Sequence, residues 1–589
     1  MWLDNICNSL PAISTRKGPK MEKKKLRVLM ELRPTLEGFA GIPQETRLVF
    51  LSLNKMDNVE TTGLINHGGR RLWPGLRRGP FAKLLRTHRR VHKLSRLAIS
   101  VKVDPIGNWW DQALNFLTKK FTVQHYSFLA SMGIGIRIYD FDAADFGDFV
   151  WQSMFSKTLP AREYETIRNA RFATVEPSWD LLNRVSIKKM RMVGPSHKTV
   201  QLNTHGFDVF LTQTPFPGAV APKTQLVVRY HDAIPIFLPH TISESRTHQH
   251  AHMANLVANH KTGIFACTSS ATRSDLLKIF PALESRSVVI PDTVSHEYYQ
   301  EEGNHEYISN IVRNHICVET EPKFLTSREK ENFYRRNLMS EPLRYIMMVS
   351  TLEPRKNHSK LIAAWDYLKN HGMNDLKLII IGTPGWDYNR ILDSMTPWQQ
   401  RGELFHLQGV PSGQLRVLYN AAQAVICPSV AEGFDLSGIE AMLCGGAVIA
   451  SDIPVHREVY RDACVYFNPY SALDQAKAIE RVIHPDNREQ RRQLVAAGLR
   501  HAPRYKLENI QPYWDDLFEK IRAGAFKPLL SKPFFHGWNG NGKKALDSLL
   551  RPVAMSPQDT LERPYLSAGQ VRTMIGTGEE EDPHLSLIQ

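Results

Sequence analysis

Two doubly wound α/β domains with parallel sheets, facing each other across a cleft, are what this sequence predicts, and three observations predict them. The chain has 589 residues, against roughly 100 to 200 for a single domain, so at least two cores are expected. Apolar runs of strand length, most of them separated by helix-length stretches, form two series, one opening at Leu26 and a fresh one at Arg344; this is the alternation of strand, crossover helix and strand. Hydrophobic residues make up 42% and charged residues 23% of the chain, the ordinary globular range.

The elements follow in order. Residues 1–20 read as a flexible polar tail, with Met21 an alternative start. The run Leu26 to Leu32 in KKKLRVLMELRP is a buried strand, and the loop EGFAGIPQETR leads from it into a helix. Residues 54–200 form a basic, aromatic region with inserted helices. Further strands are expected at Asp208 to Gln213, Gln225 to Asp232, Gly263 to Ser270 and Ser287 to Asp292, closing a first domain over 21–325. The second domain, 340–505, carries strands at Arg344 to Ser350, Leu376 to Gly382, Leu404 to Gly409, Ala424 to Ser429, Gly446 to Ser451 and Cys464 to Pro469. An amphipathic helix is expected over 506–526, and 527–589, rich in Gly, Asn, Pro and charge, reads as disordered.

Lys plus Arg number 74 against 59 for Asp plus Glu, a net charge of +15, which points to an anionic partner. The segment Arg70 to Lys102 holds eleven Lys or Arg and no acid, with Leu84, Leu85, Val91, Leu94 and Leu97 interleaved. That mixture suits an amphipathic surface helix on anionic lipid better than nucleic-acid readout, although a merely solvated face explains it equally well. No stretch approaches the ~18–20 apolar residues of a spanning helix, and residues 1–20 lack the apolar centre of a secretory signal. The expected location is the cytoplasm, associated peripherally with the inner face of the membrane. The six cysteines lack CxxC pairs and read as buried thiols.

Chemistry concentrates where the second series of strands ends. TLEPRKN places Arg355 and Lys356 after an apolar strand; a fork and a point charge suit a diphosphate, although alone they describe a solvated surface pair better. GTPGW follows the next strand, and Gly409 with Val410 ends another. In AEGFDLSGIEAM, Glu432 sits on a loop and Gly433 permits a backbone closed to other residues. The amides from Phe434 through Leu436 and Ser437 lead into a helix whose start favours an anion. Glu440 sits one turn in, with a carboxylate able to accept two ribose hydroxyls.

Together TLEPRKN, GTPGW, HLQGVPSGQL, EGFDLSGIEAM and ASDIPVHREVY resemble, in order and spacing, the donor domain of glycosyltransferase family 4 over about Arg344 to Ile483. In the first half EGFAGIPQETR resembles the family's glycine loop and YHDAIPIFLP its histidine loop. The resemblance implies a GT-B architecture of two Rossmann-like domains, with the late helix around Trp514 crossing back to the first. It implies a retaining, metal-independent transferase that takes a nucleotide-diphosphate sugar as substrate and a glycan or lipid-linked acceptor. By the same resemblance Glu440 holds the ribose, and Lys356 with Arg355 holds the diphosphate. Glu432 and His231 flank the transferred sugar, Gly38 to Gly41 approach its phosphates or the acceptor, and Gly409 and Val410 lie near the base. GTPGW leans toward mannose or a related hexose and toward polysaccharide or lipopolysaccharide assembly. Three departures stand out: Asp435 where the family often has Gly, Ser437 where it often has Pro, and Thr351 where it often has Arg.

Three other readings compete. A metal-dependent transferase would use Asp140 and Asp142 in IYDFDAADF. A sugar-nucleotide epimerase would share the two-domain architecture without an acceptor. A basic membrane- or nucleic-acid-binding scaffold would need no catalytic site.

Overall fold

A computed structural model describes residues 24–38, 41–77, 86–102, 109–193, 198–301, 307–339 and 342–529. The expected tail at 1–20, Met21, Leu84, Leu85 and the tail beyond 529 lie outside the described residues.

The first sheet contains β1 (Leu26–Glu31), β2 (Val59–Ile65), β3 (Leu76–Arg77), β4 (Tyr139–Phe141), β5 (Arg171–Thr174), β6 (Val209–Thr212), β7 (Gln225–Tyr230), β8 (Ile264–Cys267) and β9 (Ser287–Val289). Their order is β3-β4-β5-β2-β1-β6-β7-β8-β9. The run from β5 to β9 is parallel, whereas β4 pairs antiparallel with both β3 and β5. The sheet is thus mixed, not purely parallel as expected, and its antiparallel edge comes from the region 54–200. The reading of that region also passed over β2, because VETTGLI lacks a continuous apolar run. Thr61 and Thr62 are nevertheless buried, and Gly63 makes room for the core: a Cβ there would lie 2.3 Å from Leu32 Cδ1.

The second sheet contains β10 (Tyr345–Val349), β11 (Lys377–Ile381), β12 (Leu404–Leu407), β13 (Ala424–Cys427), β14 (Val448–Ser451) and β15 (Val465–Phe467). It is parallel throughout in the order β12-β11-β10-β13-β14-β15. Strand order reverses between β10 and β13, and at such a point the loops part to leave a crevice for ligands. The fresh strand series at Arg344 therefore positions a site as well as a core.

The helix Leu507–Arg522 returns to the first domain. Asn58 Nδ2 donates to Asp515 Oδ1 at 3.0 Å, and Arg522 Nη2 donates to the Asn58 carbonyl at 2.7 Å. In the basic segment the helix Thr87–Lys102 buries Leu94, Leu97, Ala98 and Val101. Leu94 and Leu97 thus face the core, and Arg89, His92, Lys93 and Arg96 point outward. Cys267, Cys317, Cys427, Cys444 and Cys464 are buried free thiols. Among the described residues no helix is long and apolar enough to cross a membrane.

Candidate active site in the interdomain cleft

The crevice holds a cavity of about 140 Å³ whose lining includes Gly38 and Gln44 from the first domain, Tyr298 from the connection, and Thr351, Gly409, Val410 and Glu440 from the second. Gly41, with φ +68°, ends the glycine loop and caps the helix Ile42–Asn54, whose first turn carries Pro43. That start sets Gln44 opposite the helix Leu436–Leu443. Gln44 Nε2 donates to Glu440 Oε1 at 2.6 Å, and the Tyr419 hydroxyl donates to Oε2 at 3.2 Å. Burial pushes the Glu440 carboxyl up to about 7, against the pull of these hydrogen bonds. Gly409 turns the chain at φ +66° after β12, a backbone that glycine adopts without strain.

A second cluster lies beside the crevice. The turn Pro354–Lys356 ends in Asn357, which is left-handed at φ 65°. Its Nδ2 donates to the carbonyls of Pro428 and Pro469 at 3.0 and 2.8 Å, tying the loop after β10 to those after β13 and β15. Arg355 Nη1 donates to Glu432 Oε2 at 2.8 Å and to the Ala431 carbonyl at 3.1 Å, while its Nε reaches Glu353 Oε2 at 3.1 Å. Lys356 Nζ donates to Glu432 Oε1. Burial opposes ionisation of Glu432, but the Arg355 and Lys356 charges outweigh it and hold the carboxyl below its ordinary value. Glu432 is therefore a fixed anion and not a proton donor near neutral pH.

The two domains touch through backbone. A Cβ on Gly433 would lie 1.9 Å from the His231 carbonyl oxygen, so glycine alone permits this approach. The Gly433 carbonyl accepts from Thr268 Oγ1, Ser269 Oγ and Thr272 Oγ1 at 3.1, 2.9 and 3.2 Å. Glu458 accepts from the amides of Ser270 and Ala271 at 2.7 and 3.0 Å, capping the helix Ser270–Ile279 from the opposite domain. Trp386 Nε1, in the GTPGW loop, donates to the Thr241 carbonyl at 2.6 Å. Burial and the Arg229 charge lower the His231 pKa well below its ordinary value, so the imidazole is neutral. Among the described residues its buried Nε2 has no hydrogen-bond partner.

Asp435 turns away from the crevice. It caps the helix Leu436–Leu443 at φ 75°, and its Oδ1 accepts from the Ser437 amide and hydroxyl at 3.2 and 2.6 Å. Its Oδ2 lies 3.2 Å from His456 Nε2. The Ser451 hydroxyl donates to the Ser429 carbonyl, so both Ser451 oxygens, at 3.0 and 2.9 Å, accept from His456 Nδ1. Each ring nitrogen thus faces an oxygen that can accept. Burial opposes ionisation of Asp435, but the His456 hydrogen bond and nearby positive charge hold it far below its ordinary value. The extra acid is neutralised internally.

Of the residues singled out in sequence, Glu440, Gly409, Val410 and Gly38 line the cavity, whereas Glu432, Arg355 and Lys356 gather in the adjacent ion cluster. His231 and Gly433 meet across the domain boundary, and Gly41 starts the helix that carries Gln44. The Phe434 side chain is buried 5.2 Å from the Tyr505 ring, edge to face, and Leu436 is buried in the same core. The Ser437 amide is engaged by Asp435. Asp142 lies 3.6 Å from Arg90, and Asp140 stands on β4, second from the sheet's edge. Sequence reasoning missed Lys157, Thr158 and Tyr298 in the cavity lining; they lie outside any motif. It also missed Gln44, although the quoted glycine loop contains it.

The family described as glycosyl transferases group 1 matches residues 329–501. The serotype-specific mannosyltransferase WbdA of Escherichia coli is 37% identical over 135 residues, 23% of this chain and 16% of WbdA. O-antigen chain mannosyltransferase B of Escherichia coli is 31% identical over 165 residues, 28% of this chain and 43% of that protein. O-antigen chain mannosyltransferase RfbU of Salmonella typhimurium is 28% identical over 228 residues, 38% and 56% of the two chains. The chain thus spans less than two thirds of each of these relatives. The crystal structure of Anabaena Alr3699/HepE with UDP-glucose aligns at a TM-score of 0.47 and 14% identity, covering 84% of this chain and 100% of that one. The matched segment, residues 329–501, carries both glutamates and both cations of the site, and it resembles the group 1 glycosyl transferases within a chain of two α/β domains.

Proposed function

We propose that the chain transfers a hexose, mannose or a close relative, from a nucleotide-diphosphate sugar to a glycan or lipid-linked acceptor during polysaccharide or lipopolysaccharide assembly. The observation that carries this reading is the group 1 match laid over a crevice that places Glu440 in a cavity beside the Glu432, Arg355 and Lys356 cluster. The mannosyltransferase names of the relatives support the sugar and the pathway class.

In this reading Glu440 accepts the ribose hydroxyls once ionised. Arg355 and Lys356 supply positive charge to the leaving diphosphate, the place where charge grows as the glycosidic bond breaks. Glu432, locked as an anion, orients the sugar and faces the positive charge that develops on it. His231, neutral and with Nε2 uncommitted, bonds a sugar hydroxyl from the first domain. Retention follows from same-face attack assisted by the departing phosphate, with Glu432 too firmly held by two cations to serve as a free nucleophile. No metal enters these roles, so activity should persist in EDTA.

The test is a panel of sugar nucleotides screened for thermal protection, since a bound donor stabilises the fold according to its affinity, followed by transfer assays with the best donor. A mannosyl nucleotide should protect most and be consumed only when an acceptor alcohol is present. An epimer formed from donor alone would replace this reading with the epimerase.

A further inference from the structure

Among the described residues, the later half of the helix Trp109–Met132 leaves an apolar face uncovered. Phe121, Phe128 and Met132 are 69%, 61% and 62% exposed. Spacings of seven and four residues place the three within ~40° of one another around the helix. Ile134, just past its end, is also exposed, as is Met192 on the helix Trp179–Val193. The two helices pack together, with Lys189 Nζ donating to Ser131 Oγ. Ser131 lies one residue from Met132 and Lys189 three from Met192, near the ends of the two helices. The exposed apolar side chains thus lie on two packed helices and the turn that follows the first, and exposed apolar side chains gathered in one region mark an interaction surface.

Its electrostatics are one-sided. Residues 121–139 and 181–207 contain no Asp or Glu but carry Arg137, Arg184, Lys188, Lys189, Arg191 and Lys198. Two copies meeting here would oppose like charges, whereas an anionic bilayer matches both the apolar side chains and their cationic rim. The helix Thr87–Lys102, by contrast, has its leucines in the core.

We propose that Phe121, Phe128, Met132, Ile134 and Met192, ringed by Lys188, Lys189 and Arg191, form a docking surface for an anionic lipid bilayer. It rests on the proposed transferase reading only for its purpose, which is to hold the cleft near a lipid-linked acceptor.

The experiment is co-sedimentation of the full chain with vesicles of phosphatidylglycerol and phosphatidylcholine, and with phosphatidylcholine alone. Wild type should bind the mixed vesicles and release them at high salt. Phe121→Ser/Phe128→Ser/Met132→Ser and, separately, Lys188→Glu/Lys189→Glu should each cut the bound fraction by about tenfold or more, while keeping the wild-type unfolding temperature. Unchanged binding by either variant, no binding by wild type, or loss only with Arg89→Glu/Arg96→Glu overturns the assignment. So does a dimer in sedimentation velocity that the serine variant dissolves. Thermal protection by a sugar nucleotide is measured on the same proteins: protected variants that no longer bind vesicles separate docking from the transferase reading, which fails on its own if no nucleotide protects wild type.

Discussion

Glu440 and Glu432 sit in one short stretch, yet their surroundings drive them to opposite states. Glu440 meets neutral donors, Gln44, Tyr419 and Tyr298, so burial raises its pKa to about 7. Glu432 meets two cations and stays ionised. For an acid whose folded pKa is raised, stability is greatest below the unfolded value near 4.5 and falls as pH climbs to about 7. A ligand that needs the carboxylate has the opposite trend. Donor affinity should therefore improve as pH rises through about 7, and Glu440→Gln should flatten that profile. The same change should weaken binding roughly ten- to a hundredfold, the loss expected for hydrogen bonds to a charged group worth ~1.5–3 kcal/mol. Glu432→Ala should instead lower turnover and leave affinity nearly intact. Titration calorimetry with the protecting sugar nucleotide from pH 5.5 to 8.5 checks the first claim; a profile as steep in Glu440→Gln as in wild type would assign the titration elsewhere.

Between elements, the strongest ties are buried and ionic. Arg229 on β7 is 1% exposed and joins Glu45 of the helix Ile42–Asn54 at 2.8 Å to Asp292 at 2.6 Å. The ring of Trp514 from the returning helix lies 5.6 Å from the guanidinium. Removing one partner of such a cluster leaves an uncompensated buried charge. Arg229→Ala should lower the unfolding free energy by about 3–5 kcal/mol in urea titrations, and replacing Arg229, Glu45 and Asp292 together by apolar residues should recover much of it. This cluster was not legible in the sequence, because its members lie far apart along the chain and belong to no motif. The second sheet was legible, because IMMV, LIII and AVIC are continuous apolar runs buried on both faces. The first sheet was legible only where its strands share that character. In β2 the threonines and Gly63 hid a core strand, and β3 and β4 are two and three residues long. At the site the motif residues announced themselves, while Asp435 made sense only once His456 was seen beside it, twenty-one positions away.

At the scale of the whole molecule the domains are drawn together by contacts that surround the crevice. Gln44 covers Glu440, Glu458 caps the helix Ser270–Ile279, Trp386 reaches Thr241, and Gly433 lies against the His231 backbone. Under the proposed function a donor that bonds Glu440 displaces Gln44, and the halves are then expected to part and close again around it. Gly433 sets how far they close. An alanine Cβ would lie 1.9 Å from the His231 carbonyl oxygen, inside van der Waals contact with a main-chain atom that no side-chain rotation can relieve. One buried apolar cluster lies wholly within each domain and is kept in Gly433→Ala, so the unfolding temperature should change little. The separation it forces lies between His231 and Glu432, on opposite sides of the proposed reacting sugar, where a misplacement near 1 Å costs on the order of a hundredfold in turnover. Donor affinity, which rests on Glu440 farther along the crevice, should fall much less. Steady-state kinetics with varied donor and acceptor, beside small-angle scattering with donor bound, check this. A wild-type turnover number in Gly433→Ala would mean that chemistry takes place in a more open arrangement, with His231 farther from the sugar.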